Sequence, residues 1–261
     1  MYKIWQSIFN VLKRFFHFHR KKKDIVPPEW RFFVATEIGP LHFATNQPNQ
    51  DAVLVSQVEN ALVAVVCDGV GSHENAHLGA QAAVRAVVKA TELWFFQKNR
   101  EIPDFLRLIQ TLWLMEIRPI LPETAGTTCL WSIVQDDGTA IVGCLGDGLI
   151  IIDDNIGNIT YIEENKEGFS NQTVMLNDRG ILGKWKYHQT KLLTPGACIC
   201  LMTDGISEDI SPSDRSQIPM IFRNLSNIGQ QEAESFLEKE LKNWKTPNHT
   251  DDKSIAAILK L

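Results

Sequence analysis

The amino-acid sequence predicts an α+β fold in which antiparallel sheets pack together and helices lie outside them. Short β-rich runs gather early and late in the chain around a pair of helical stretches. Few of those runs alternate strand–helix–strand as a parallel sheet requires. Turn pairs of the hairpin type separate several neighbours, which favours antiparallel pairing. At 261 residues, 44% of them hydrophobic, the chain is long enough to bury a sizeable core and reads as one main domain.

Residues 31–162 supply most of the strands. Arg31–Glu37, Ala52–Val58 and Ala61–Cys67 are short β-rich runs, and Glu59-Asn60 marks a hairpin between the last two. Ala76, Ala80, Ala83, Val84, Val87, Val88 and Thr91 recur at helical spacing, and Phe105, Leu106, Ile109, Leu112 and Trp113 do so again. Pro103 suits the first turn of that second helix, and Pro119 lies beyond its end. Strand-like runs resume at Thr127–Val134, Thr139–Leu145 and Leu149–Asp153, the first two joined by Asp137-Gly138. A polar connection follows. The chain then gives a strand at Ala197–Thr203, a helix through Ala233, Phe236, Leu237, Leu241 and Trp244, and a closing strand at Ile255–Leu261.

Residues 1–30 read as a separate basic segment ahead of a domain at 31–261. Ile4, Trp5, Ile8, Phe9, Leu12, Phe15 and Phe16 predict an amphipathic helix that ends in His19-Arg20-Lys21-Lys22-Lys23, with Pro27 and Pro28 closing it off. Lys13 and Arg14 interrupt its apolar run, so it does not read as a secretory signal. Two readings stay open: peripheral membrane contact through residues 1–23, or a helix packed on the domain. No stretch approaches 18 uncharged apolar residues, as a spanning helix needs.

Charge and cysteine usage exclude other classes. Seven Lys/Arg against Asp24 and Glu29 give the first thirty residues +5, which leaves −10 on the rest of a chain whose total is −5. So acidic a body is a poor general binder of nucleic acid but suits cations where carboxylates converge. The five cysteines all lie in or beside apolar strand-like runs, which fits reduced thiols and a cytoplasmic location better than a disulfide framework.

Three Asp-Gly pairs follow apolar strand-like runs: Asp68-Gly69, Asp147-Gly148 and Asp204-Gly205. A carboxylate at the end of a buried strand is costly to desolvate, and several meeting at one sheet end repel one another unless a hard cation lies between them. Oxygen-only donors favour Mg²⁺ or Mn²⁺, and no Cys/His pair has zinc spacing. Glycine beside each Asp allows close backbone approach and a carbonyl ligand. For Asp147-Gly148 a plain hairpin turn is an equal reading, because a strand resumes at Leu149. Asp51, after Gln50, and Asp251-Asp252, before the closing strand, add two more acidic sites.

This constellation resembles the metal-dependent protein phosphatase 2C family, in a bacterial branch, over residues 38–261. The residues that carry the likeness are Asn49-Gln50-Asp51-Ala52, Val66-Cys67-Asp68-Gly69-Val70-Gly71-Ser72 with Gly79-Ala80, and Gly126-Thr127-Thr128. Gly146-Asp147-Gly148, Thr203-Asp204-Gly205-Ile206 and Asp251-Asp252-Lys253-Ser254 complete the set, the last against a family pattern Asp-Asn-x-Thr. Gly39-Pro40-Leu41-His42 and the run from Glu167 to Thr173 are similar to features of the bacterial branch.

The resemblance implies a four-layer α-β-β-α sandwich with two metal ions at one end, Mn²⁺ or Mg²⁺. It implies hydrolysis of phosphoserine and phosphothreonine on proteins by a metal-bridged water, with no covalent intermediate. Carried over, Asp68 bridges the ions and the Gly69 carbonyl binds one. Asp204 and Asp251 complete the other, Asp51 holds metal-bound water, and Asp147 supports a third, weaker ion. Asp252 replaces Asp251 if the register slips by one. Two departures stand out: Val70 occupies the place of a proposed general-acid His, and Asn46 that of a phosphate-binding Arg. His42, as a phosphate contact, and His73 are candidate substitutes, whereas His77 reads as helix surface. Cys67 reads as a buried thiol, since its neighbour Asp68 disfavours a thiolate. The implied partner is a phosphoprotein substrate or a serine/threonine kinase. The alternative is a catalytically weak phosphatase-like domain that binds such a partner.

Overall fold

The computed structural model describes residues 29–164, 173–244 and 250–261; the basic segment expected at 1–28 lies outside them. The order is β1 (Trp30–Glu37), α1 (Pro40–Ala44), β2 (Ala52–Val58), β3 (Ala61–Cys67), α2 (Ala76–Phe95), α3 (Ile102–Glu116), β4 (Cys129–Gln135) and β5 (Thr139–Leu145). There follow β6 (Leu149–Asp153), β7 (Ile159–Glu163), β8 (Lys186–Lys191), β9 (Cys198–Met202), α4 (Asp204–Ser207), α5 (Ile218–Leu225), α6 (Gln230–Asn243) and β10 (Lys253–Lys260).

Two five-stranded antiparallel sheets result, one in the order β1-β10-β9-β6-β7 and the other β2-β3-β4-β5-β8. Their facing sides share a core in which Ile150, Ile199, Leu201 and Ile258 of the first sheet meet Ala64, Val66, Leu130 and Val142 of the second. Helices α2 and α3 cover the outer face of the second sheet with Val87, Phe105, Ile109 and Trp113. Helices α5 and α6 cover the outer face of the first with Phe222, Leu225, Leu237 and Leu241. This is the expected four-layer α-β-β-α sandwich.

Burial on both faces explains why the inner strands read as unbroken apolar runs. On β9, Cys198, Cys200 and Met202 point to the helix layer while Ile199 and Leu201 point to the other sheet. Trp131 on β4 lies directly opposite Gly143 on β5, and the indole occupies the space that a side chain at 143 would need. Its ring packs edge-on against Phe105 at 4.9 Å.

Four elements escape the sequence reading: β7, β8, α1 and α5. Strand β8 is an edge strand whose Tyr187, His188 and Gln189 face solvent, so it carries no apolar pattern to read. The closing strand begins at Lys253, two residues before the apolar run, because β10 pairs β1 from Lys253 to Lys260, while its pairing with β9 covers Ile255–Leu259. Among the described residues no helix is long and apolar enough to cross a membrane.

Candidate active site

The acidic sites lie at one end of the sandwich. Asp68 directly follows β3 of the second sheet, Asp204 opens α4 just after β9 of the first, and Asp251 precedes β10. Asp147 lies where the chain leaves β5 of one sheet and enters β6 of the other, which settles the alternative: it is a crossover between sheets, not a hairpin turn. Gly146 there has φ +85°, a conformation few side chains tolerate.

A cavity of about 390 Å³ opens at this end, lined by Asp68, Asp147, Asp204 and Asp251 together with His42, Gln47, Gly69, Val70, Thr173 and Thr250. Oxygens of Asp68, Asp147 and Asp204 lie within 4.8 Å of one another. No Lys or Arg is among the described lining residues. The electrostatic consequence is plain. Burial, then the charges of Asp51, Asp204, Asp251 and Asp147, push the Asp68 carboxyl well above the usual carboxylate range. Burial, then Asp147 and Asp251, push Asp204 up to about 6.

Backbone anchoring holds Asp68 in place. Its carbonyl accepts the Thr128 N–H and the Thr127 hydroxyl, both at 2.8 Å, and its own N–H donates to the Thr128 hydroxyl at 2.9 Å. The paired threonines therefore clamp the loop from β4's side. Gly69 is packed so closely that a Cβ would sit 2.7 Å from the Ala76 carbonyl oxygen and 2.8 Å from that of Gln50. The Thr173 hydroxyl donates to Asp147 at 2.7 Å. Residues 165–172, which hold most of the run from Glu167 to Thr173, are outside the described part.

Asp51 lies behind this cluster and does not line the cavity. One carboxylate oxygen accepts the Thr203 hydroxyl at 2.9 Å, and the other is buried with no partner. Burial first, then the charge of Asp252, pushes Asp51 up to about 8. Thr203 also accepts the Ser254 N–H, and the Ser254 hydroxyl donates to Thr36, which takes a second bond from Asn49. Thr36 was not marked by the sequence, since a lone strand threonine carries no signal.

The two candidate histidines separate. His42 on α1 lines the cavity, whereas His73 does not: its Nδ1 accepts the Gly126 N–H at 2.8 Å and braces that loop. Asn46 is an exposed turn residue with φ +57°, and Gln47 beside it reaches the cavity instead. Asp251 and Asp252 also part. Asp251 faces the cavity, while Asp252 is buried and bonded to Gly39, His42 and Gln50. Cys67 is buried beside Cys129; burial, then that neighbour, pushes its thiol well up, away from thiolate chemistry.

The donor set is all oxygen apart from one imidazole, and the carboxylates destabilise one another's charged forms; both facts fit divalent cations. A four-layer sandwich that brings such a cluster to one end of its paired sheets is the architecture of a metal-dependent protein phosphatase. The protein phosphatase 2C family model matches residues 38–244, and the chain belongs to that family. Comparison with curated protein sequences gave no significant match. Among solved structures, the S. agalactiae serine/threonine phosphatase superposes with a TM-score of 0.62 at 15% identity, over 89% of this chain and 100% of that one. The catalytic domain of the serine/threonine phosphatase PstP, with two manganese ions, gives 0.60 at 15% identity, over 88% and 97%. RsbX in complex with magnesium gives 0.58 at 16%, over 92% and 99%. At these identities the likeness speaks to the fold alone.

Proposed function

We propose that this phosphatase hydrolyses phosphoserine and phosphothreonine monoesters on proteins, with two Mn²⁺ or Mg²⁺ ions and no covalent intermediate. The observation that carries the reading is the convergence of Asp68, Asp147, Asp204 and Asp251 on one cavity whose described lining offers no Lys or Arg. Asp68 would hold both ions, with the Gly69 carbonyl on one of them and Asp204 and Asp251 on the other, and Asp147 would hold a third, weaker ion. When bound, the cations supply the positive charge that polarises the phosphoryl group and makes water nucleophilic near neutral pH. Asp51 orients a water through the buried oxygen that has no protein partner. His42 meets the phosphoryl group from the cavity wall.

The natural substrate is a phosphoprotein, with a serine/threonine kinase as a partner of the same chemistry, in the cytoplasm. The test is turnover of an aryl phosphate and a phosphothreonine peptide with Mn²⁺, with Mg²⁺ and with EDTA, beside Asp68→Asn. Metal-dependent turnover that the variant lacks supports the reading. Measurable cation binding without turnover on either substrate replaces it with a phosphatase-like module that binds phosphoproteins.

A further inference from the structure

Helix α1 is built inside out. At about 100° per residue, Pro40, Leu41, Phe43 and Ala44 fall on one continuous arc, and His42 falls opposite it. The apolar arc is the exposed one, with Leu41 at 54% and Phe43 at 75%, whereas the imidazole is the one buried side chain of the helix. A surface helix ordinarily turns its apolar residues to the core, and large apolar groups left in water together mark a surface that meets a partner. From Gly39 to Gln50 the chain has no Lys, Arg, Asp or Glu, so this face offers apolar area and not charge.

Its position says which partner. Leu41 also lines the acidic cavity, so the arc begins at the cavity mouth. It is fixed there: the Leu41 N–H donates to the Thr250 carbonyl at 3.2 Å, and the Gly39 N–H donates to Asp252 at 2.6 Å. The Thr45 hydroxyl closes the helix onto the Leu41 carbonyl at 2.8 Å. Helix α1 is thereby tied to the segment that brings Asp251 to the cavity, and a platform held this firmly loses little freedom when something docks on it.

Phosphorus in phosphoserine or phosphothreonine is three bonds from Cα, so a phosphate in the cavity draws the substrate backbone to the mouth. In an extended segment alternate side chains face the same way and recur about every 7 Å. The side chain two positions from the phosphoresidue then falls over the rim, while the immediate neighbours point aside.

We propose that the exposed arc of α1, Leu41 and Phe43 above all, docks an apolar side chain of the phosphoprotein two positions from the phosphoresidue. The site thus selects substrates with an aliphatic or aromatic group there. This rests on the phosphatase reading above and narrows its substrate class. The contact lies outside the reacting atoms and is the same before and during reaction, so the preference acts on KM with kcat little changed.

The test uses the full chain with saturating Mn²⁺, in about 0.15 M salt to screen the long-range charge of the body. The substrates are phosphothreonine peptides with Leu, Ala or Asp at the second position before or after the phosphoresidue. At one of these two positions Leu should raise kcat/KM about tenfold over Ala, through KM, as partial burial of a leucine supplies, and Asp should be no better than Ala. In the double variant Leu41→Ser, Phe43→Ser that preference should shrink to less than about twofold. If the double variant fails to fold, Leu41→Ala and Phe43→Ala decide singly by the same ratio. Ala or Asp equal to Leu at both positions overturns the inference, as does a preference that the variants keep. A double variant that keeps the preference but loses self-association in sedimentation, or liposome flotation, gives the face to a second copy or to lipid instead. A wild type inert on every peptide overturns the phosphatase reading and this inference with it. An active wild type without the preference overturns only the role of α1.

Discussion

Stripping divalent cations from the protein and raising the pH should destabilise it, because its acidic cluster is then forced to charge. Asp204 illustrates the size of the effect. Its carboxyl is raised from an ordinary 3.8 to about 6, a shift of some two units, or about 3 kcal/mol. Since the folded state holds this proton more tightly than the unfolded chain, the stabilisation is complete below pH 4 and is lost as pH rises through 6. Asp51, pushed up to about 8, extends the same loss to neutral pH and beyond. For domains of 150–250 residues about 3 kcal/mol corresponds to roughly 6–12 °C in Tm. Cation binding offsets the loss by mass action, about 4 kcal/mol at a thousand times Kd. The assay is thermal unfolding from pH 5 to 8 in EDTA and in excess Mn²⁺, for the wild type and Asp68→Asn. In EDTA the gap between the two proteins should widen in the variant's favour as pH rises, because one repelling carboxylate is gone. In Mn²⁺ the wild type should gain more at pH 8 than at pH 5, and the variant should gain little. A gap in EDTA that does not change with pH, or a Mn²⁺ gain largest at pH 5, would refute the reasoning.

Other expectations follow from named contacts. Gly69→Ala should cost about 1–3 kcal/mol by urea unfolding, since its Cβ would press on two backbone carbonyls. Trp131→Ala should cost about 3–5 kcal/mol in the same assay, because it empties a fully buried site between Phe105 and Trp185. Cys67 should resist iodoacetamide at pH 8 in the folded protein and react on unfolding, as followed by mass spectrometry. Removing residues 1–23 should abolish association with anionic liposomes in a flotation assay; undiminished binding would rule out the membrane contact.

Much of the fold was legible because the inner strands are buried on both faces, so that β3, β5, β6 and β9 appear as unbroken apolar runs ending in turn residues. Edge strand β8 and the five-residue α1 left no such trace, since both are short and largely exposed. At the site, the residue types and their order were legible: a buried strand followed by Asp-Gly is unusual enough to stand out, and three such carboxylates reach one cavity together with Asp251. What the sequence withheld was direction. Nothing in Asp251-Asp252 says that one side chain faces the cavity while its neighbour turns inward to Gly39, His42 and Gln50, because that alternation depends on how β10 is seated between β1 and β9. His42 and His73 likewise became distinguishable only once the Gly126 N–H was found on the latter.

The acidic residues of the cavity are divided between the two sheets. Asp68 hangs from β3, Asp204 and Asp251 from β9 and β10, and Asp147 from the strap that passes between them. A cation shared by Asp68 and Asp204 would therefore rivet one slab of the sandwich to the other at a single end. Amide hydrogens deep in both slabs should then exchange through one common opening when the ion is held, and drift apart into two rates when it is removed. At the opposite end the chain passes from β8 to β9 through residues 192–197, and the rest of the join among the described residues is packed side chains, so there the first separation under denaturant should begin.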